Sequence, residues 1–150
     1  MSDSAFAESA ASIREFLAQR VMDTGYAIRF AEAVCQCGCW VFSLEVDENV
    51  GEAWWFCQTC NAVYLLHDVA SKEAYEGSPD YEAVDCVCMC DQSKFQIVVG
   101  VTLYGQGDTA RTTYIGCRCA ACGRIECYAS WPRVDMPYSR FFDTMRQPRR

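Results

Sequence analysis

Apolar residues recur at three- and four-residue steps through the first part of the chain, where Phe6, Ala10, Ile13, Phe16, Leu17 and Val21 form one stripe. That spacing is the period of an amphipathic helix. Ser2, Asp3 and Ser4 offer N-cap side chains ahead of it, and Gly25 beyond it is a natural stop. The pattern predicts a helix in 1–30. Its stripe either packs on the rest of the chain or docks a partner.

Further on the period falls to two. Trp40 to Val46 alternates as a strand does, with Val41 the exception, and Asp47 to Glu52 is an acidic turn holding Asn49 and Gly51. Ala53 to Phe56 and Ala62 to Leu66 read as the returning strands. Residues 69–85 read as a linker, with a helical piece around Val69 to Glu76 followed by the turn cluster Gly77-Ser78-Pro79-Asp80. A second strand run follows from Phe95 to Tyr104, then the turn Gly105-Gln106-Gly107-Asp108, a return over Arg111 to Ile115, and an exit over Ile125 to Trp131. After Pro132 and Pro137, Tyr138 to Met145 reads as a short helix and Arg146 to Arg150 as a frayed tail.

The cysteines explain why the strand pattern occurs twice. Of twelve, eight form a repeat: Cys35-x-Cys37 with Cys57-x-x-Cys60, and Cys88-x-Cys90 with Cys119-x-x-Cys122. The opening pairs are offset by 53, as are Phe42 and Phe95; the closing pairs are offset by 62, as are Val63 and Ile125. Two pairs of thiolates converging from two segments are what a tetrahedral zinc site needs. After each pair the chain must turn sharply, and Gly38, Asn61, Asp91 and Gly123 follow the four pairs. Gly, Asn and Asp are the residues that visit the left-handed region most cheaply. The expected ligands are therefore Cys35, Cys37, Cys57 and Cys60 for one zinc ion, and Cys88, Cys90, Cys119 and Cys122 for a second. An offset of 51 would instead align Cys35, Cys37 and Cys39 with Cys86, Cys88 and Cys90, so Cys37 with Cys39, or use of Cys117, stays open. Cys86 and Cys127 read as packing positions. A secreted disulfide scaffold is the competing reading of all twelve, disfavoured by the awkward C-x-C pairs and by the missing export signal.

Cys88-x-Cys90 with Phe95 to Val99, the Cys119-x-x-Cys122-Gly123 knuckle and the exit Tyr128-x-x-Trp131 resemble bacterial zinc-ribbon proteins. Asp91 stands where that pattern has glycine, a change the same turn tolerates. The resemblance covers the two cysteine repeats and implies structural zinc and tandem four-cysteine zinc ribbons, each a small antiparallel β-sheet; with the N-terminal amphipathic helix read from the apolar stripe, the expected fold is α+β. The chain then divides into the helix 1–30, zinc ribbon 31–68, linker 69–85, zinc ribbon 86–131 and C-terminal segment 132–150, packed as one globular unit. Small proteins of this appearance sit among bacterial toxin–immunity systems, and the resemblance carries that association too.

Composition narrows the functions. Half of the 150 residues are apolar, so a core is available, and no apolar run approaches the ~20 residues of a membrane span. Twelve reduced cysteines point to the cytoplasm. The net charge of −7 is uneven: residues 1–85 carry four basic and fifteen acidic groups, residues 86–150 nine basic and five acidic. An enzyme is the weakest case. The single histidine, His67, follows an apolar strand beside Asp68 and reads as structural or exposed, four-cysteine zinc leaves no open coordination position, and the CxxC pairs lack a thioredoxin-like setting. The expectation is a non-enzymatic protein that neutralises a basic protein partner, such as a toxin. Glu45, Asp47, Glu48 and Glu52 would steer it and Trp54 and Trp55 anchor it, with Tyr64 nearby. The alternative is a nucleic-acid-associated ribbon using Arg111, Arg118, Arg124 and Arg133 with Tyr114 or Tyr128.

Overall fold

The computed structural model describes residues 3–67, 83–132 and 134–149. The expected linker helix, the turn at Gly77 to Asp80, and Arg133 lie outside them. Helix α1 (Asp3–Val21) carries the predicted stripe, ends in a tight helical turn (Met22–Thr24), and stops at Gly25, which has φ 77°. The helix is shorter than the segment expected of it, because Ile28–Glu32 forms a strand, β1.

Seven more strands follow: β2 (Phe42–Asp47), β3 (Glu52–Cys57), β4 (Val63–His67), β5 (Val84–Asp85), β6 (Phe95–Leu103), β7 (Ala110–Cys119) and β8 (Ile125–Pro132), then helix α2 (Tyr138–Asp143). Each cysteine repeat builds a three-stranded meander, β2-β3-β4 or β6-β7-β8. The meanders join edge to edge in one antiparallel sheet of order β4-β3-β2-β6-β7-β8. At the joint Phe42 pairs with Phe95, the two residues that the offset of 53 had matched.

The joint is short, and two reciprocal strands reinforce it. β1, which precedes the first Cys-x-Cys, pairs with β6 of the second repeat, and β5, which precedes the second Cys-x-Cys, pairs with β2 of the first. The registers are equivalent: Glu32 faces Val98 as Asp85 faces Glu45, and Ala31 faces Val99 as Val84 faces Val46. The hydrogen bonds repeat as well, Ala33 N–H to Ile97 O at 3.0 Å and Cys86 N–H to Leu44 O at 2.9 Å. The chain is thus a duplicated unit closed around a pseudo-two-fold axis, with each half lending a strand to the other.

Alternation along the strands sorts the two faces of the sheet. Phe42, Leu44, Trp55, Phe95, Ile97, Val99 and Trp131 share one core with Phe141 and Phe142 of α2. Helix α1 covers the opposite face of β6 and β7, where Ala10, Ile13 and Leu17 meet Val98. Burying Ile13 and Leu17 completely contributes about 1.5–3 kcal/mol each. Two strand glycines allow that approach. A Cβ on Gly116 would lie 2.8 Å from Ile13 and 2.9 Å from Leu17, and one on Gly100 would lie 3.2 Å from Leu17. The stripe therefore packs within the chain. The tail is also docked, since Arg149 N–H donates to Val63 O at the edge of β4. Among the described residues no helix is long and apolar enough to cross a membrane.

Candidate metal centres

Each meander ends beside a pair of tight turns, and these hold the cysteines. In the first repeat Cys35 N–H bonds Cys39 O and Gly38 N–H bonds Cys35 O; in the second Cys88 N–H bonds Gln92 O and Asp91 N–H bonds Cys88 O. The closing knuckles repeat this economy, with Asn61 N–H on Cys57 O and Gly123 N–H on Cys119 O. All four residues after the pairs have positive φ: Gly38 92°, Asn61 63°, Asp91 72° and Gly123 81°. The turn chemistry read from the sequence is present at each.

The result is two clusters, Cys35/Cys37/Cys57/Cys60 and Cys88/Cys90/Cys119/Cys122, in each of which the four sulfurs lie within 4.8 Å of one another. Cys35 and Cys60 sulfurs are 3.4 Å apart, and Cys37 and Cys57 3.6 Å. In the second cluster Cys88–Cys122 and Cys90–Cys119 are both 3.6 Å. Sulfurs about 2.3 Å from a central tetrahedral ion stand roughly 3.8 Å apart, whereas a disulfide needs about 2.05 Å. All twelve cysteines are free thiols. The spacing thus suits a metal ion in each cluster. Four thiolates in a tetrahedron suit zinc or iron.

Burial is the same in both clusters: Cys35 and Cys57, or Cys88 and Cys119, face inward, and the other two sulfurs face solvent. Three of the inner thiols, Cys35, Cys57 and Cys119, are made more acidic by their surroundings. Burial pushes Cys35 up, but hydrogen bonds from the Cys37 backbone and the Tyr64 hydroxyl outweigh it and bring the thiol down to about 7. Cys119 comes down to about 7 as well, because the Cys122 and Ala121 N–H groups outweigh burial. Cys57 is lowered in the same way, and its sulfur accepts Thr59 and Cys60 N–H at 3.4 Å each. Cys37 and Cys90 are pushed up to about 12: a backbone N–H favours each thiolate, but desolvation and the neighbouring sulfurs overcome it. In the first cluster the inner Cys35 and Cys57 thus lose protons before the outer Cys37 and Cys60, which a bound cation would favour as thiolates.

The remaining cysteines stand apart from both clusters. Cys39 Sγ turns to Val41, 3.4 Å from its carbonyl oxygen. Cys117 is fully buried in β7, its thiol raised by burial, and Cys127 Sγ donates to Ala129 O. Neither Cys37–Cys39 pairing nor use of Cys117 as a ligand survives this geometry. Comparison with protein-family models, with curated proteins and with solved structures finds no match to this chain.

The six residues expected to form the partner-binding face do not share one. Trp55 is 1% exposed and packs edge-on against Phe42. Adjacent strand residues point to opposite faces, so Trp54 lies on the other side, half-buried. Asp47 and Glu52 are 2% and 4% exposed, and Asp47 Oδ1 accepts Asn49 and Val50 N–H to close the β2–β3 turn. Only Glu45, half-buried, and Glu48, exposed, keep carboxylates near solvent, and Glu48 also accepts Ser130 N–H at 2.9 Å.

Sequence reasoning missed what surrounds these two. Exposed Val84 and Asp85 of β5 lie beside β2, and with Glu48, Asn49, Val87 and Tyr128 they line a groove of about 420 Å³. Glu48 and Asp85 line this groove, and Glu45 stands opposite Asp85 in the β2–β5 pairing; burial first, then Asp85, Glu48 and Glu45, raise the Cys86 thiol to about 12. Among the described residues the expected basic patch does not converge. Arg111 lies over the Tyr26 ring at 4.0 Å, Arg124 pairs with Glu126 at 2.9 Å, and Arg118 faces a separate groove beside Glu8. Tyr114 and Tyr128 are half-buried and pack inward. His67 ends β4 opposite Glu52.

Proposed function

We propose that this chain is a non-catalytic protein, held together by two structural zinc ions, that binds and neutralises a basic protein partner in the manner of an immunity protein. The observation that carries the partner reading is the groove between β2 and β5. Apolar Val84 and Val87, 59% and 52% exposed, are flanked there by Glu48 and Asp85, with Glu45 opposite Asp85 in the strand pairing, and among the described residues no basic side chain lines it. An apolar centre with a rim of one charge suits a partner of opposite charge. The metal centres supply shape. Four thiolates fill a zinc ion's coordination and leave no position for substrate, so their contribution is to hold each pair of knuckles where a small apolar core alone would not. The resemblance to zinc ribbons of toxin–immunity systems points the same way.

The test is affinity capture from the native host followed by kinetics with the captured protein. Glu48→Lys with Asp85→Lys should slow association and flatten its salt dependence. Val87→Asp should speed dissociation. Recovery of an acidic protein, or of nucleic acid lost on Arg111 and Arg118 substitution, would overturn the reading.

A further inference from the structure

The two metal centres share the Cys-x-Cys and Cys-x-x-Cys pairs and the same burial, yet the residues behind them differ. Tyr64 sits in the regular β3–β4 ladder opposite Trp55. Its ring stands edge-on to Phe42, with centroids 6.2 Å apart, and the residue is 1% exposed. Its hydroxyl is fixed from two sides: it accepts Gln36 N–H at 2.9 Å and donates to Cys35 Sγ at 3.3 Å. The first centre therefore has a buried hydroxyl locked onto one inner sulfur.

The counterpart in the second repeat is Tyr128, against Phe95 at 5.0 Å and beside Cys88. It arrives by another route. The β7–β8 register shifts between Ile115 and Gly116, which pair with Ala129 and Cys127, so Tyr128 is the extra residue of a bulge. It is half-buried and lines the acidic groove. Among the described residues no backbone N–H donates to its hydroxyl, and Met89, at the position of Gln36, is 81% exposed. Its hydroxyl also reaches the inner sulfur of the second centre, that of Cys88, but among the described residues without a second partner to hold it as Gln36 N–H holds Tyr64.

We infer that the two centres are inequivalent: Tyr64 is a positioning residue that makes the first zinc inert, while the second zinc is the exchangeable one. A hydrogen bond to a ligand sulfur orients it and slows its departure from the metal as far as the donor is itself held in place, and of the two tyrosines only Tyr64 has its hydroxyl fixed by a backbone N–H among the described residues. Loss of such an outer partner typically weakens a metal site about 10–100-fold. The inference rests on zinc filling both clusters, so the metal content of the chain is established before exchange is followed.

The experiment transfers zinc from the loaded full-length chain to 4-(2-pyridylazo)resorcinol, with iodoacetamide and peptide mass spectrometry locating the freed cysteines. Release should be biphasic, with Cys88, Cys90, Cys119 and Cys122 labelled first and the first centre slower by roughly 10-fold. Tyr64→Phe should bring the first centre to the rate of the second and leave the second unchanged. Tyr128→Phe should leave the first centre untouched. Equal release in the unmodified chain, or an unchanged order in Tyr64→Phe, would overturn the inference. Should Tyr64→Phe not fold, the release order of the unmodified chain and of Tyr128→Phe decides it. Fewer than two zinc ions at the outset is a different failure, that of the zinc reading itself.

Discussion

Gly116 illustrates how one missing atom shapes this molecule. Glycine weakens a strand interior, yet here its bare backbone is where Ile13 and Leu17 rest, under 3 Å from the place a Cβ would take. Gly116→Val should destabilise the fold by about 1–3 kcal/mol through overpacking, read as a lower urea midpoint with both zinc ions retained. The tryptophans divide similarly. Trp55→Ala should remove about 3–5 kcal/mol of stability as a core truncation, whereas Trp54→Ala, half-buried on the other face, should remove less. Equal losses in chemical denaturation would contradict the assignment of faces. At this scale the sequence was most informative where covalent geometry leaves little choice, as at Gly38, Asn61, Asp91 and Gly123. It was least informative for burial within the acidic hairpin. Asp47 and Glu52 look like surface charges, but the turn they close draws them in.

Among the elements, the meanders were legible because alternation, turn residues and cysteine spacing agree on them. The strands β1 and β5 were not. Five and two residues long, they carry little periodicity, and their pairing partners belong to the other repeat, where no local signal can announce them. They change what a ligand mutation should do. Cys90→Ser frees the knuckle that follows β5, so its effect should reach β2 of the first repeat as well as its own meander. Hydrogen exchange should show lost protection at Cys86 N–H, which bonds Leu44 O, together with strands of the second repeat. The reciprocal variant Cys37→Ser should expose Ala33 N–H, which bonds Ile97 O. Loss of protection confined to the mutated repeat would mean that the exchanged strands do not couple the halves.

For the whole molecule, the uneven charge read from the sequence is redistributed by folding. Among the described residues the basic groups of the second half disperse, with Arg124 on Glu126 and Arg111 over Tyr26. The carboxylates beside β5 gather with apolar neighbours. Because β5 joins the linker side of the chain to β2, that groove exists only when both repeats are assembled, and zinc loss should abolish partner binding without altering any groove residue. Titrating the loaded chain with a chelator should therefore remove binding and zinc together; binding that persisted after complete zinc removal would separate shape from metal. Beneath every functional statement lies the metal assignment, which zinc K-edge absorption on the purified chain, combined with its metal content, tests most directly. Two zinc ions per chain are expected, each with four sulfur neighbours at about 2.3 Å. A single zinc ion, nitrogen or oxygen in the coordination shell, or disulfides among the eight cysteines would contradict it.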